Sequence, residues 1–280
     1  MQLTREQITN FQNKILSWYR EHQRDLPWRK LPKNLTPDER AYRILVSEVM
    51  SQQTQIQRVI GKYTDWIERF PTVQSLADAS VAEVLQYWSG LGYNRRALNL
   101  KKAAEVVALQ YKGEFPPDEK ELLALPGIGQ YTSRAVLCFA FNKQVAVVDT
   151  NIRKVILLEI LHGDSTHDNP QEIQLIADQL LPQGKAYSWN QALMDYSGAV
   201  LKKEKIVIPK QSKFLGSRRY YRGQVLKVLL EKGTLHVHAL GRLIKMNYTV
   251  EEADWLIELL NELRTEGFIE IKDNSVCLSA

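Results

Sequence analysis

The chain has 280 residues, 44% of them apolar, and a formal net charge of +5 at pH 7. That length suits two domains, and the apolar share supports a sizeable core. Two cysteines, Cys138 and Cys277, exclude a disulfide framework, a thiolate zinc site and a four-thiolate cluster within one chain. The start, MQLTREQITNFQNK, lacks a signal-peptide core, and no apolar run reaches membrane-spanning length. The expectation is a cytoplasmic protein without membrane contact.

Apolar residues recur at three- and four-residue spacing in 5–20, 41–63, 80–88, 96–110, 118–125, 130–141, 150–162, 170–181 and 189–201. These segments read as helices, separated by proline and glycine. The β-branched run Val145 to Val148 reads as an extended connector into the next helix. Residues 202–222 hold eight Lys and Arg against Glu204. That stretch is +7, so the remainder is −2. It reads either as a solvated linker or as a phosphate contact.

Beyond the basic stretch, 219–232 and 236–245 read as short helices. A third helix is predicted from Thr249, with Glu252 completing a capping box. Phe268-Ile-Glu-Ile, the turn Asp273-Asn274 and Val276-Cys-Leu read as a β-hairpin. Three helices and a hairpin are winged-helix-like, a topology that binds DNA or docks a protein.

The most specific stretch is Leu125-Pro-Gly-Ile-Gly-Gln-Tyr-Thr-Ser-Arg-Ala, followed by Val147-Val-Asp-Thr-Asn-Ile-Arg. Gly127 and Gly129 suit a tight turn between two helices, with backbone angles open to few other residues. The helix starting near Gln130 offers unpartnered N–H groups to an anion, which can hold a phosphate without reading sequence. Asp149 opens the next helix, where an aspartate commonly serves as a cap.

With these motifs the chain resembles the helix-hairpin-helix DNA glycosylase superfamily, and most closely its MutY-like adenine glycosylases. The resemblance covers about residues 8 to 201. It is carried by Leu26-Pro-Trp, Ser47-Glu-Val-Met-Ser-Gln-Gln-Thr-Gln, Trp88-Ser-Gly-Leu-Gly-Tyr, the hairpin, Val148-Asp-Thr-Asn and Asn190-Gln-Ala-Leu-Met-Asp. It implies an all-α fold of two helical subdomains flanking a cleft, over residues 1–202. Within it, 31–134 would form a central helical barrel, and 1–30 with 135–202 the second subdomain. A basic linker, 203–217, and a winged-helix-like domain, 218–280, would follow.

The resemblance also implies roles. Glu48 would protonate the departing adenine, and Asp149 would stabilise positive charge on the sugar, with Asn151 and Tyr131 assisting. This is the division between an acid of raised pKa and an ionised stabiliser. Taken from the residues alone, Glu48 shares a helix face with Ile44 and Leu45 and, one turn on, Gln52. Such a glutamate is ordinarily a surface residue. Endonuclease III-like relatives carry a Schiff-base lysine where Tyr131 stands, so a monofunctional enzyme is expected. Gln53 would fill the gap left by the flipped base, with Thr54, Leu91 and Tyr93 beside the opposing base. Gln52, Gly127, Ile128, Gly129, Gln130 and Thr132 would complete the DNA contacts, with Lys202, Lys203 and Lys205 on the backbone. A bound Na+ or K+ at the carbonyls of 125–130 is expected.

The pattern also departs from the family. Most relatives place four cluster-binding cysteines after the helix matching 189–201. Here Leu201 stands at the first, so no iron–sulfur cluster is expected. The tail reads as lacking the family's 8-oxoguanine-inspecting domain. Double-stranded DNA with a mismatched or damaged base is the expected partner, and a monomer the expected state. The C-terminal domain would bind DNA or a repair protein. Two other readings stay open: a thymine or uracil mismatch glycosylase on the same fold, and a non-catalytic DNA-structure binder.

Overall fold

The computed structural model describes residues 1–206 and 212–279. Lys210, in the basic stretch, lies outside them. In chain order the helices are α1 (Arg5–His22), α2 (Pro37–Ser51), α3 (Ile56–Arg69), α4 (Val73–Ala77), α5 (Val81–Trp88), α6 (Arg95–Gln110) and α7 (Glu119–Ala124). They continue with α8 (Gln130–Phe139), α9 (Thr150–Val155), α10 (Pro170–Leu180), α11 (Ala186–Ala199), α12 (Arg218–Lys232), α13 (Val237–Ile244) and α14 (Ala253–Glu266). Three short strands, β1 (Leu235–His236), β2 (Ile269–Lys272) and β3 (Ser275–Leu278), lie in the C-terminal segment. No helix among the described residues is long and apolar enough to cross a membrane.

The helix starts follow local chemistry. Thr4 and Thr36 form reciprocal capping boxes with Gln7 and Glu39, and Pro37 supplies the first residue of α2. Ser80, Asp118, Asn169 and Ser217 each accept a backbone N–H of the helix they precede. The predicted connector into α9 lies within 142–149, which have no regular structure.

The chain divides into two compact units: Met1–Gln53 with Leu109–Ile208, and Thr54–Ala108 with Pro209–Ala280. In the first, α11 packs against α1 and α9, and α2 against α8. Its core includes Ile15, Ile152, Ile176 and Trp189, all fully buried. Leu201, at the position of the family's first cluster cysteine, is buried in this core. The Leu201 carbonyl accepts from Lys154 Nζ.

In the second unit, Trp66, Phe70 and Trp88 make edge-on ring contacts. The C-terminal elements run α12, β1, α13, α14, β2, β3, and the antiparallel sheet has the order β1-β3-β2. This is a winged-helix arrangement, and α12 packs on α5. Asp273 and Asn274 have φ of 48° and 60°, the left-handed pair that a two-residue hairpin turn requires.

Several expectations need correction. The segment 41–63 is two helices, because Gln52 turns extended and Gln53 takes φ 52°. Apolar periodicity runs through this break and conceals it. Gln52 therefore caps α2 and is not one turn along its face. The third C-terminal helix starts at Ala253, after a 3-10 turn at Val250–Glu252. Only half of the predicted box is seen, with Thr249 N–H donating to Glu252 at 3.3 Å. The short α4 and the two-residue β1 carry too few residues to show a period.

The basic stretch is partly spent internally. Arg218 and Arg222 pair with Glu262, and Arg222 also with Glu266. Lys202, Lys203 and Lys205 are exposed.

Candidate active site

Glu48, Tyr131, Asp149 and Asn151 all belong to the first compact unit. Glu48 lies on α2, Tyr131 on the first turn of α8, and Asp149 caps α9. The packing of α2 on α8 brings Glu48 and Tyr131 together. The Tyr131 hydroxyl donates to Glu48 Oε2.

Glu48 is only 8% exposed, contrary to the surface role ordinary for a helix glutamate. Burial pushes its carboxyl up to about 7, and the nearby Asp149 charge pushes the same way. The Tyr131 hydrogen bond and the Arg29 charge oppose the rise. A carboxyl poised there carries its proton at neutral pH and can give it up. Burial and the two carboxylates push the Tyr131 phenol well above its ordinary value, so it stays a neutral donor.

Asp149 is half-buried. One oxygen accepts Ile152 N–H at 2.7 Å, and the other accepts Asn151 Nδ2 at 2.6 Å. Burial pushes this carboxyl upward, while both hydrogen bonds pull it back by favouring the anion. The dipole of α9 also favours negative charge at this end. Asp149 is thus both the helix cap and a carboxyl whose two donors favour its anion, whereas Glu48 accepts one such bond.

The segment reaching Asp149 is clamped from α11. Asn190 is 1% exposed. Its Oδ1 accepts Val147 N–H at 2.9 Å. Its Nδ2 lies 3.1 Å from the Val145 carbonyl and 2.9 Å from that of Ala186. Asn190 appears in a sequence motif, but nothing in its neighbours assigns it this brace. Asp195, further along α11 and also buried, accepts two bonds from Arg29, at 2.7 and 2.8 Å, and one from the Arg24 side chain at 2.5 Å. That cluster ties the Leu26-Pro-Trp motif to the Asn190–Asp195 motif. Pairing across such sequence distance left no local signal.

The hairpin joins α7 and α8, and Arg134 Nε donates to Glu119 at 2.7 Å between the two helices. Gly127 has φ 77°, a conformation that favours glycine. Gly129 has φ −99° and ψ 178°, which any residue adopts, so the expectation of unusual angles at both glycines is corrected. A Cβ at Gly129 would meet nothing within 4 Å. Gly129 and Gln130 are exposed, whereas Ile128 and Thr132 are buried. No side chain caps the start of α8. Gln52 Nε2 lies 3.4 Å from Thr132 Oγ1.

Thr54, Leu91 and Tyr93 belong to the second unit. Tyr93 is 44% exposed, but Leu91 is buried at 4% and points inward. Gln53, in the first unit, is exposed.

The residues do not fit a four-thiolate cluster. The chain has two cysteines; Cys138 is buried against Asn190 Nδ2, and Cys277 lies on β3. Among the described residues, no group of three or more His, Cys, Asp or Glu is arranged to hold a metal ion.

Residues 46–183 match the family model described as HhH-GPD superfamily base excision DNA repair protein. That span contains Glu48, the hairpin and Asp149. The chain is 43% identical over 186 residues to the adenine DNA glycosylase of Mycolicibacterium smegmatis, covering 66% of this chain and 61% of that protein. It is 38% identical over 198 residues to the adenine DNA glycosylase of Homo sapiens, covering 69% of this chain and 36% of that one. It therefore spans less than two thirds of the length of these relatives. Among solved structures, a thermostable thymine-DNA glycosylase superposes with a TM-score of 0.63 at 30% identity, covering 71% of this chain and 90% of its own. An endonuclease III–DNA complex shares the fold, with a TM-score of 0.58 at 22% identity over 70% of this chain and 86% of its own. Two carboxyl groups at a helix-hairpin-helix, the family match and the coverage of the thymine-DNA glycosylase lead to one conclusion: the chain belongs to the HhH-GPD superfamily of base excision DNA repair proteins.

Proposed function

We propose that the protein is a monofunctional DNA glycosylase that removes adenine mispaired with guanine or 8-oxoguanine. The observation that carries this reading is the buried, protonatable Glu48 held by Tyr131 next to Asp149. An adenine anion is a poor leaving group, so the base must receive a proton as the glycosidic bond breaks. Glu48, at about 7, supplies it. The sugar gains positive charge as the base leaves, and Asp149 stabilises it, with Asn151 fixing the carboxylate's orientation. The adenine-specific relatives support the choice of base.

The DNA contacts follow the same reading. The hairpin at 127–130 and the uncapped start of α8 would receive a backbone phosphate, which the open space above Gly129 lets approach closely. Gln52, Ile128 and Thr132 would support that loop. Gln53 would enter the gap left by the flipped base, and Thr54 and Tyr93 would meet the opposing base. Inward-facing Leu91 would act by supporting the loop. Lys202, Lys203 and Lys205 would lie along the backbone. The carbonyls of Leu125 and Gly129 each accept one backbone hydrogen bond, which leaves each a lone pair for Na+ or K+ at the 125–130 turn. The expected substrate is double-stranded DNA, bound by a monomer.

Tyr131 cannot form a Schiff base. The test is incubation with an adenine:8-oxoguanine duplex. Free adenine should appear, with the strand intact until alkali is added and no adduct trapped by borohydride. Strand nicking without alkali would overturn the monofunctional assignment. The second reading, thymine or uracil excision, is favoured by the likeness to a thymine-DNA glycosylase. It predicts release of thymine or uracil opposite guanine instead.

A further inference from the structure

The loop after α5 stands out in the second unit. Gly90, Gly92 and Tyr93 all have positive φ, of 91°, 71° and 48°. For glycine this is cheap; for a bulky aromatic residue it is an outlier that persists only where surrounding contacts over-determine it. Yet Tyr93 is 44% exposed, so its own side-chain burial cannot hold the conformation.

Arg96 supplies the missing constraint. Its Nη2 lies 3.1 Å from each of the Leu91 carbonyl, the Gly92 carbonyl and Thr54 Oγ1. Its guanidinium lies over the Trp88 ring at 5.1 Å and the Tyr93 ring at 5.6 Å. Arg96 N–H also closes the turn onto the Tyr93 carbonyl at 2.9 Å. Trp88 Nε1 donates to the same Gly92 carbonyl at 2.9 Å. One planar cation thus joins the end of the Gln-Gln-Thr turn to the tip of the Gly-Leu-Gly-Tyr loop.

We propose that Arg96 is a positioning residue that locks Tyr93 as a pre-organised stacking wedge for DNA with a vacated base position. This deepens the proposed function and rests on that reading for the presence of a flipped base. A ring already rigid in its strained conformation loses little freedom on entering the base stack. Lysine could keep the charge at position 96, but it has no planar guanidinium to lie on two rings while its terminal nitrogen reaches the carbonyls. Burial lowers the Arg96 guanidinium to about 10, which leaves it cationic at neutral pH.

The test is a double-mutant cycle read by fluorescence anisotropy. The probe is a duplex with one tetrahydrofuran abasic analogue, compared with the unmodified duplex. Tyr93→Ala and Arg96→Lys should each weaken abasic-duplex binding by about tenfold, the scale of one lost base–aromatic stack. Binding of the unmodified duplex should stay within about twofold. Arg96→Lys added to Tyr93→Ala should cost nothing further, because its effect runs through the wedge. If Arg96→Lys fails to fold, Arg96→Gln takes its place in the cycle. Wild-type affinity for Arg96→Lys, losses that multiply in the double variant, or no wild-type preference for the abasic duplex would each overturn the proposal. Adenine release is measured separately on the wild type. A protein that passes the cycle yet releases no adenine sinks the adenine reading and leaves the wedge standing.

Discussion

The hydroxyl of Tyr131 donates to Oε2 of Glu48, joining the first turn of the post-hairpin helix to the middle of α2. That bond favours the carboxylate, so it restrains the rise that burial imposes on Glu48. Tyr131→Phe removes the restraint and raises the Glu48 pKa above about 7. The protonated acid then persists to higher pH. The alkaline limb of the single-turnover pH–rate profile should move upward, by about one unit. An unmoved or downward-shifted limb would remove Tyr131 from this role.

Glu48 also makes stability depend on pH. Its carboxyl is raised from 4.5 to about 7 in the folded protein. The folded state therefore binds the proton more tightly, and stability falls as pH rises from the unfolded value through 7. Glu48→Gln lacks that ionisation. It should match the wild type near pH 4.5 and exceed it above pH 7 by about 3 kcal/mol in urea denaturation. A variant less stable than the wild type above pH 7 would contradict the buried, proton-binding carboxyl.

Asn190 braces the connector two residues before Asp149. Asn190→Ala orphans the Val147 N–H and the Val145 carbonyl in the interior. It should cost about 2–3 kcal/mol of stability, measured by denaturant titration at constant pH. Excision should fall further than folding explains, because Asp149 loses its fixed approach. Full stability with full activity would dismiss the brace.

Lys202, Lys203 and Lys205 are exposed, whereas Arg218 and Arg222 are engaged with glutamates of α14. If the lysines track the backbone, replacing all three with alanine should weaken DNA binding. The slope of log affinity against log salt should become shallower by about two to three. An unchanged slope would return the segment to the role of a solvated linker.

Much of this architecture was legible in the sequence because it is local. Asp273-Asn274 and Leu125-Pro-Gly each declare their turn within a few residues. Glu48 and Asp149 were legible only through motif resemblance, since periodicity alone reads them as a surface glutamate and a helix cap. The cap at Asp149 is real and coexists with the proposed role. What stayed hidden depends on long-range packing. Asp195 between Arg24 and Arg29, Asn190 on the connector and Arg96 on Thr54 join residues that no local pattern connects. The break between α2 and α3 was hidden differently: Gln53 enters a left-handed conformation within a stretch whose apolar spacing continues across it.

The most direct test is single-turnover excision from duplexes containing A:8-oxoG, A:G, T:G or U:G, with wild type, Glu48→Gln and Asp149→Asn in parallel. Asparagine caps helices as well as aspartate does, so Asp149→Asn should fold normally and lose the charge alone. The wild type should release adenine from the first two duplexes, and each variant should be slower by at least about a thousandfold. Adenine release that survives both substitutions, or activity confined to T:G and U:G, would contradict the assignment.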